Sequence, residues 1–146
     1  MNLKQWADNG WLKSHKTSRE EIANLLAIVE RDLADAANES ISPDSRFGIA
    51  YNAALKLCTV LLSAAGYRAD KTRHHYLTIQ AMPLILGRDR ANDAQYLDTC
   101  RNKRNIAEYH YVGNVTARDV EELTGFAKEL SVTVRDWLKG MRPDLL

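Results

Sequence analysis

Residues 42–66 read SPDSRFGIAYNAALKLCTVLLSAAG, and the longest uncharged apolar run of the chain begins within them at Leu57. Ser42 and Pro43 are typical of the N-cap and first turn of a helix, and Gly66 is typical of a helix end. Between these residues the apolar positions cover most of the helical circumference. We therefore predict one long helix that lies at the centre of the fold.

Helical periodicity also marks the segments before and after this stretch. One helix is predicted to begin at Ser18, where Glu21 stands at the position that completes a capping box. The last helix is predicted to begin at Thr116, where Asp119 takes the same position. Apolar residues follow both caps in three- and four-residue steps, so each helix has one face for a core.

Two further helical patterns occupy the middle of the chain. A short one covers residues 76–86, where Pro83 is expected to kink or end the helix. A longer one starts near Asp89 or Asn92 and ends before Gly113. No segment alternates with period two, so no strand is predicted. The predicted fold class is all-α, a four- to five-helix up-and-down bundle with four long helices and a shorter one.

The chain is predicted to fold as one domain. Its 146 residues, of which 45% are hydrophobic and 27% charged, suffice for a core without disulfides or a structural metal. Residues 1–17 are expected to form an arm or a short helix, residues 18–140 the bundle, and residues 141–146 a tail.

Composition excludes several classes of protein. A net charge of +1 argues against a protein that coats DNA through many phosphate contacts. The apolar run 57–67 is shorter than the ~20 residues that span a bilayer, and the polar N-terminus has no signal-peptide core, so no membrane partner is expected. Cys58 and Cys100 are far apart and belong to no CxxC pair, which favours a reducing, cytoplasmic location. No metal or other cofactor is predicted.

Arg104 interrupts the apolar stripe of the predicted helix that follows residue 89. A guanidinium on a buried stripe is costly unless it is paired or opens onto a cavity. Helical spacing puts Arg104 on one face with Arg101, Glu108 and Tyr111. Two interpretations stay open here: an intrahelical Arg104–Glu108 ion pair at the edge of the core, and a polar site for a phosphate-bearing ligand.

Charge is distributed unevenly along the chain. Between residues 66 and 104 there are eight basic residues and four acidic ones, and the flanking regions are slightly acidic. If the loop 68–73 lies near Arg104, it forms a basic wall suited to single-stranded RNA. The alternative is a set of charges dispersed over a balanced surface. Side chains available for stacking on bases are Tyr67, Tyr76, His74 and His75.

Three features together resemble the HEPN (higher eukaryotes and prokaryotes nucleotide-binding) domains, over about residues 18–139. They are the order of the predicted helices, the sequence 47–57 with the following Ala-Gly-Tyr at 65–67, and the segment RNIAEYH at 104–110. HEPN domains carry an Arg-x(4–6)-His motif at this place. Arg104 and His110, with five residues between them, match it.

The resemblance implies a homodimer in which two such motifs face one cleft. In active members the cleft cuts RNA without a metal, and we expect this chain to be such a protein of a toxin–antitoxin or defence system. His110 would then act on the 2′-hydroxyl as general base, and Arg104 would stabilise the phosphorane. An antitoxin or a nucleotidyltransferase is the implied partner.

The alternative is a catalytically inactive module that binds a nucleotide or a partner nucleotidyltransferase. On a continuous helix His110 would lie about 120° from Arg104, so the two converge within one chain only if the helix loosens before Gly113. Other side chains near the motif are predicted to contact the ligand. They are Asn105, Arg101, Lys103, Glu108, Tyr109 and Tyr111.

Overall fold

Six α-helices make up most of the chain in the computed structural model, which describes residues 1–146. The chain is 77% helical, and the predicted all-α bundle class is confirmed. Among the five helices of the bundle the shortest is α4, with 13 residues, in the place predicted for the short helix. In chain order the helices are α1 (Leu3–Asp8), α2 (Arg19–Ala36), α3 (Pro43–Ala64), α4 (His74–Leu86), α5 (Ala91–Tyr109) and α6 (Ala117–Met141).

The central helix is α3, as its sequence predicts. It contacts α2, α4, α5 and α6, and Tyr51, Leu57 and Leu61 on it are at most 1% exposed. By length and composition alone, Pro43–Ala64 is apolar enough to cross a membrane, and 72% of its most apolar window is buried inside the bundle. The apolar circumference of this helix is therefore covered by the neighbouring helices.

Side-chain caps begin three of the four long helices, α2, α3 and α6, whereas α5 has no side-chain hydrogen bond at its N-cap. The capping box at the start of α6 is confirmed: the Thr116 hydroxyl accepts from the Asp119 N–H at 3.1 Å, and the Asp119 carboxylate accepts from the Thr116 N–H at 2.9 Å. The box predicted at Ser18 is only half formed. Ser18 accepts from the Glu21 N–H at 3.1 Å, but the Glu21 carboxylate turns to His15 at 2.7 Å. A contact with an imidazole outside the helix replaces the expected return bond to the N-cap backbone.

Two short strands are present, and the expectation of no strand is wrong. β1 (Leu12–Ser14) pairs with β2 (Tyr67–Ala69) in antiparallel register, with Leu12 opposite Ala69. Strands of three residues are too short for a period-two pattern to be seen in the sequence. Leu12 and Ala69 are buried in a small apolar cluster with Leu77 of α4, so the N-terminal segment is packed beside the start of that helix.

A tight turn joins α4 to α5. The helix α4 continues through Pro83 to Leu86, and Gly87 then adopts φ 126°, a conformation that favours glycine. A Cβ at Gly87 would stand 2.8 Å from an Asp89 carboxylate oxygen, so a side chain there would also require the Asp89 side chain to move. The turn makes α4 and α5 sequential neighbours in contact, and a cavity lies between them.

Candidate functional site

A cavity of about 600 Å³ lies between the start of α4 and the middle of α5. Its volume is within the range of small-molecule sites, about 300–1,000 Å³. Three fixed cations and two histidines contribute to its lining, and no carboxylate does. The lining residues of this basic pocket are Lys71, Thr72, Arg73, His74, His75, Tyr76, Arg101 and Asn105.

The loop before α4 supplies one wall of the basic pocket. Asp70 accepts a hydrogen bond from the Thr72 N–H at 3.3 Å and so caps the helical turn Lys71–Arg73. Hydrogen bonds to Thr72 also lower the pKa of the Asp70 carboxyl. The basic wall that the sequence suggests is therefore formed by Lys71 and Arg73, whereas Arg68 lies on β2 and does not line the pocket.

Arg101 and Tyr76 form the opposite part of the pocket. The Arg101 Nε donates to the Asp98 carboxylate at 2.8 Å, which orients the guanidinium from within α5. The Arg101 guanidinium lies 5.9 Å from the centre of the Tyr76 ring, and the Arg73 guanidinium lies at the same distance. Both are within the range of cation–π attraction. The Tyr76 ring thus lies close to one guanidinium from the loop and one from α5.

Arg104 lies one turn further along α5, outside the lining. The predicted ion pair is present: its Nη2 is 3.2 Å from a Glu108 carboxylate oxygen, and its Nη1 donates to the Asn105 side chain at 3.3 Å. Its guanidinium lies 5.8 Å from the centre of the Tyr51 ring. The Arg104 Nε is buried and has no acceptor. The guanidinium is thus linked to the pocket through Asn105, and one of its donors remains free.

His75 is the histidine that the structure places near Arg104. Its Nδ1 is 3.2 Å from the hydroxyl of buried Tyr51, and its ring centre is 5.6 Å from that of His74. Burial, followed by the charges of His74, Arg104 and Arg101, lowers the pKa of His75 below its usual 6.5. The pKa of His74 is lowered by burial and by Lys56. Both shifts favour the neutral imidazole, which is the form that can accept a proton.

His110 occupies a different environment. It is the first residue after α5, its backbone N–H donates to the Ile106 carbonyl at 2.9 Å, and its side chain is exposed. No hydrogen bond or ion pair joins it to Arg104. The helix does end before Gly113, but its end does not bring the two side chains of the motif together within one chain. Tyr109 and Tyr111 are 70% and 69% exposed.

The remaining predicted site residues are divided between two other surroundings. Lys103 is paired with Asp119 of α6 at 2.9 Å, and it does not line the basic pocket. Glu108 lines a separate cavity of about 480 Å³ with Asp32 and Asp44. Of the predicted set, only Arg101 and Asn105 line the basic pocket, with Arg104 behind Asn105.

Sequence reasoning missed Tyr51 and the position of His75. Tyr51 belongs to the apolar pattern of α3 and reads as a core residue, which it also is. Its hydroxyl meets a histidine 24 positions away, and no spacing rule links residues on different helices. The only available signal was the pair of adjacent histidines at the start of a basic segment.

No group of three or more His, Cys, Asp or Glu side chains is arranged to hold a metal ion. Comparison of the chain with models of protein families, with curated proteins and with solved structures finds no match. The composition and geometry of the basic pocket are therefore the features from which a function is inferred.

Proposed function

We propose that this protein is a HEPN-type protein that binds single-stranded RNA, or the phosphate of a nucleotide, in the basic pocket. One observation carries the proposal: Lys71, Arg73 and Arg101 surround one cavity with two histidines and no carboxylate. Affinity for nucleic acid comes mainly from cations that neutralise phosphates. A near-neutral protein can supply such cations when they converge on one small site.

The shape of the site fits a single strand better than a duplex. Tyr76 is 37% exposed, and a base can stack on the part of its ring that the Arg73 and Arg101 guanidiniums leave accessible. Arg101 presents a planar guanidinium suited to two-point contact with a phosphate. Asn105 adds an amide that can hydrogen-bond a base edge. Bases in a duplex do not expose their faces, so stacking of this kind favours unpaired RNA.

Cleavage of the bound RNA without a metal is a second candidate function. The specific observation in its favour is the imidazole of His75, which lines the same pocket as Arg101. Burial, followed by nearby positive charges, lowers its pKa and so favours the neutral ring. A neutral imidazole can take the proton of a 2′-hydroxyl, and a guanidinium can stabilise the charge that develops on phosphorus. The HEPN resemblance gives the role of base to His110, which would reach an Arg104 site only across a homodimer cleft.

The resemblance extends the proposal beyond the pocket. It adds a homodimer, a cytoplasmic location, a role in a toxin–antitoxin or defence system, and an antitoxin or nucleotidyltransferase as partner. The alternative within the same family is a catalytically inactive module, in which the pocket binds a nucleotide and cleaves no RNA.

Binding is tested by fluorescence anisotropy with a labelled single-stranded oligoribonucleotide at fixed salt. Arg101→Ala is expected to weaken binding by about tenfold or more, since hydrogen bonds to charged groups contribute about 1.5–3 kcal/mol. The matched control is Arg118→Ala, which removes an exposed arginine of α6 that has no ion pair. Equal loss in both variants, or no binding by the wild type, would contradict a site in the basic pocket.

Cleavage is tested with the same RNA in the presence of a chelator. If the protein is a nuclease, product forms with the wild type and is lost in Arg104→Ala. His75→Ala and His110→Ala then identify the base, because only the variant that lacks the base should form no product at RNA concentrations that saturate it. Absence of product with tight binding by the wild type assigns the protein to the inactive module.

A further inference from the structure

A third cavity, of about 490 Å³, lies where the start of α2 meets the end of α3 and the C-terminal tail. None of its lining residues lines the basic pocket. Lys16 and Arg19 approach it from the start of α2, Ser63 from α3, and Arg142 with Asp144 from the tail. Three parts of the chain that are distant in sequence thus enclose one polar space.

The N-terminus of α2 opens at this cavity. Ser18 is the N-cap, and its hydroxyl accepts from the Glu21 N–H. The N–H groups of Arg19 and Glu20, the first two residues of an 18-residue helix, have no acceptor in the protein. Free N–H groups and the positive end of the helix dipole together favour an anion.

Ser63 gives an independent indication of a ligand. It is only 4% exposed, and it lines the cavity. No hydrogen bond joins its hydroxyl to another protein group, whereas Thr59, one turn earlier on α3, donates to the Leu55 carbonyl at 3.0 Å. The hydroxyl oxygen opens onto the cavity, where a polar group of a ligand can accept its hydrogen bond.

The charges around the cavity leave it net positive. The Asp144 carboxylate is neutralised by Arg142, whose Nε and Nη2 donate to it at 3.0 and 2.9 Å. The Nη1 of Arg142 donates to the Ala64 carbonyl at 2.6 Å, so this guanidinium is held in place by three hydrogen bonds and its charge is paired with Asp144. Lys16 has no ion pair, and the only hydrogen bond of the Arg19 guanidinium is from its Nε to the Asp144 carbonyl at 3.3 Å. Two cations among the lining residues therefore remain available, beside the two carboxylates of the first turn of α2, of which Glu21 is paired with His15 and Glu20 is exposed.

We propose that this cavity binds the phosphate group of a small phosphate monoester. The N–H groups of Arg19 and Glu20 and the Ser63 hydroxyl would donate to its oxygens, and Lys16 would neutralise charge. A monoester is favoured over a diester because its dianion matches two unpaired cations and three free donors. The cavity volume leaves room for the organic part of such a ligand. The site is independent of the RNA proposal.

The test is a titration of the ¹⁵N-labelled full chain with inorganic phosphate, followed by amide chemical shifts. Saturable shifts are expected at Arg19, Glu20 and Ser63. Ser63→Ala should weaken this binding by about tenfold, because it removes a hydrogen bond to a charged group. Its matched control, Thr59→Ala, removes a hydroxyl of the same helix that lies outside the cavity and should bind as the wild type does.

A second pair of variants tests the role of charge. Lys16→Ala should weaken phosphate binding, whereas Lys13→Ala, an equal charge change on the exposed face of β1, should not. Shifts confined to basic-pocket residues, or an unchanged affinity in Ser63→Ala, would overturn the proposal. Equal affinity for dimethyl phosphate would overturn the assignment to a monoester.

Discussion

His75 and His110 stand on either side of Arg104 in the sequence, in contrasting surroundings. His75 is partly buried, contacts the Tyr51 hydroxyl and shares a cavity with Arg101. His110 is exposed and is fixed only through its backbone. The histidine that matches a motif by spacing is therefore not the one that the bundle surrounds with cations. Burial and neighbouring charges, which set the chemistry of an imidazole, depend on the packing of helices and not on spacing along one helix.

The largest expected difference is in stability, between a substitution in the buried part of α5 and one near its His110 end. Leu97 on α5 is 0% exposed, and Leu97→Ala should cost about 2–5 kcal/mol of unfolding free energy through lost burial and a cavity. Ile106, nearer the His110 end of the helix, is 36% exposed, and Ile106→Ala should cost about 1 kcal/mol or less. Urea denaturation of both variants measures the difference. Equal losses would show that the two ends of α5 are equally anchored.

The second prediction concerns pH. Because the pKa values of His74 and His75 lie below 6.5 in the free protein, a bound phosphate would raise them and take up protons. RNA affinity should be constant at high pH, rise as pH falls through the pKa of the complex, and level off below that of the free protein. The slope is at most about tenfold per pH unit for each histidine. Anisotropy titrations between pH 5 and 8 measure it.

Variants assign this pH dependence to one of the two regions. His75→Asn should reduce the slope, since it removes a titrating ring from the pocket. His110→Asn should leave the slope unchanged, because the His110 ring is exposed and outside the pocket. A reduced slope in His110→Asn and an unchanged slope in His75→Asn would mean that RNA binds at the end of α5, at the Arg104–His110 motif.

Removal of single hydroxyls should have a smaller effect. Tyr51→Phe removes the group that meets the His75 Nδ1 at 3.2 Å, and a cost of about 1 kcal/mol is expected for the buried bond. Tyr109→Phe is the matched control, since the Tyr109 side chain is 70% exposed. Its unfolding free energy should not change. A Tyr51→Phe variant as stable as the wild type would mean that the contact with His75 contributes nothing to folding.

Two glycines should respond with opposite signs. A Cβ at Gly48 on α3 would find its nearest neighbours, Arg104 Cγ and Glu108 Oε1, at 3.9 Å, which is ordinary contact. Gly48→Ala should therefore stabilise the protein by about 0.5–1 kcal/mol through helix propensity. Gly113, after His110, has φ 82°, and Gly113→Ala should cost about 1 kcal/mol. Thermal unfolding of both variants checks the signs.

Patterns that are local in sequence predicted the parts of the fold that depend on local physics. The apolar circumference of residues 43–64 marked the central helix, and Thr116 with Asp119 marked the start of the last one. The half-formed cap at Ser18 shows where such rules stop. His15, six residues before Glu21, draws the carboxylate away, and its position depends on the β1–β2 pairing.

The candidate site was predictable only in its composition. The excess of basic residues between 66 and 104 was visible in the sequence, but its convergence was not. Lys71 and Arg73 meet Arg101 and Asn105 because the Gly87 turn makes α4 and α5 neighbours in contact. Lys103, equally basic and two residues from Arg101, is directed to Asp119 of α6 instead.

The sequence by itself determined the all-α class, the helix that fills the centre and the stretch that carries the positive charge. These properties follow from hydrophobic periodicity, capping chemistry and composition, which act over a few residues. The tertiary structure alone decided that His75, not His110, lies beside Arg104 and Tyr51. That choice depends on how α3, α4 and α5 pack, because contacts between residues far apart in the chain are fixed by the bundle as a whole.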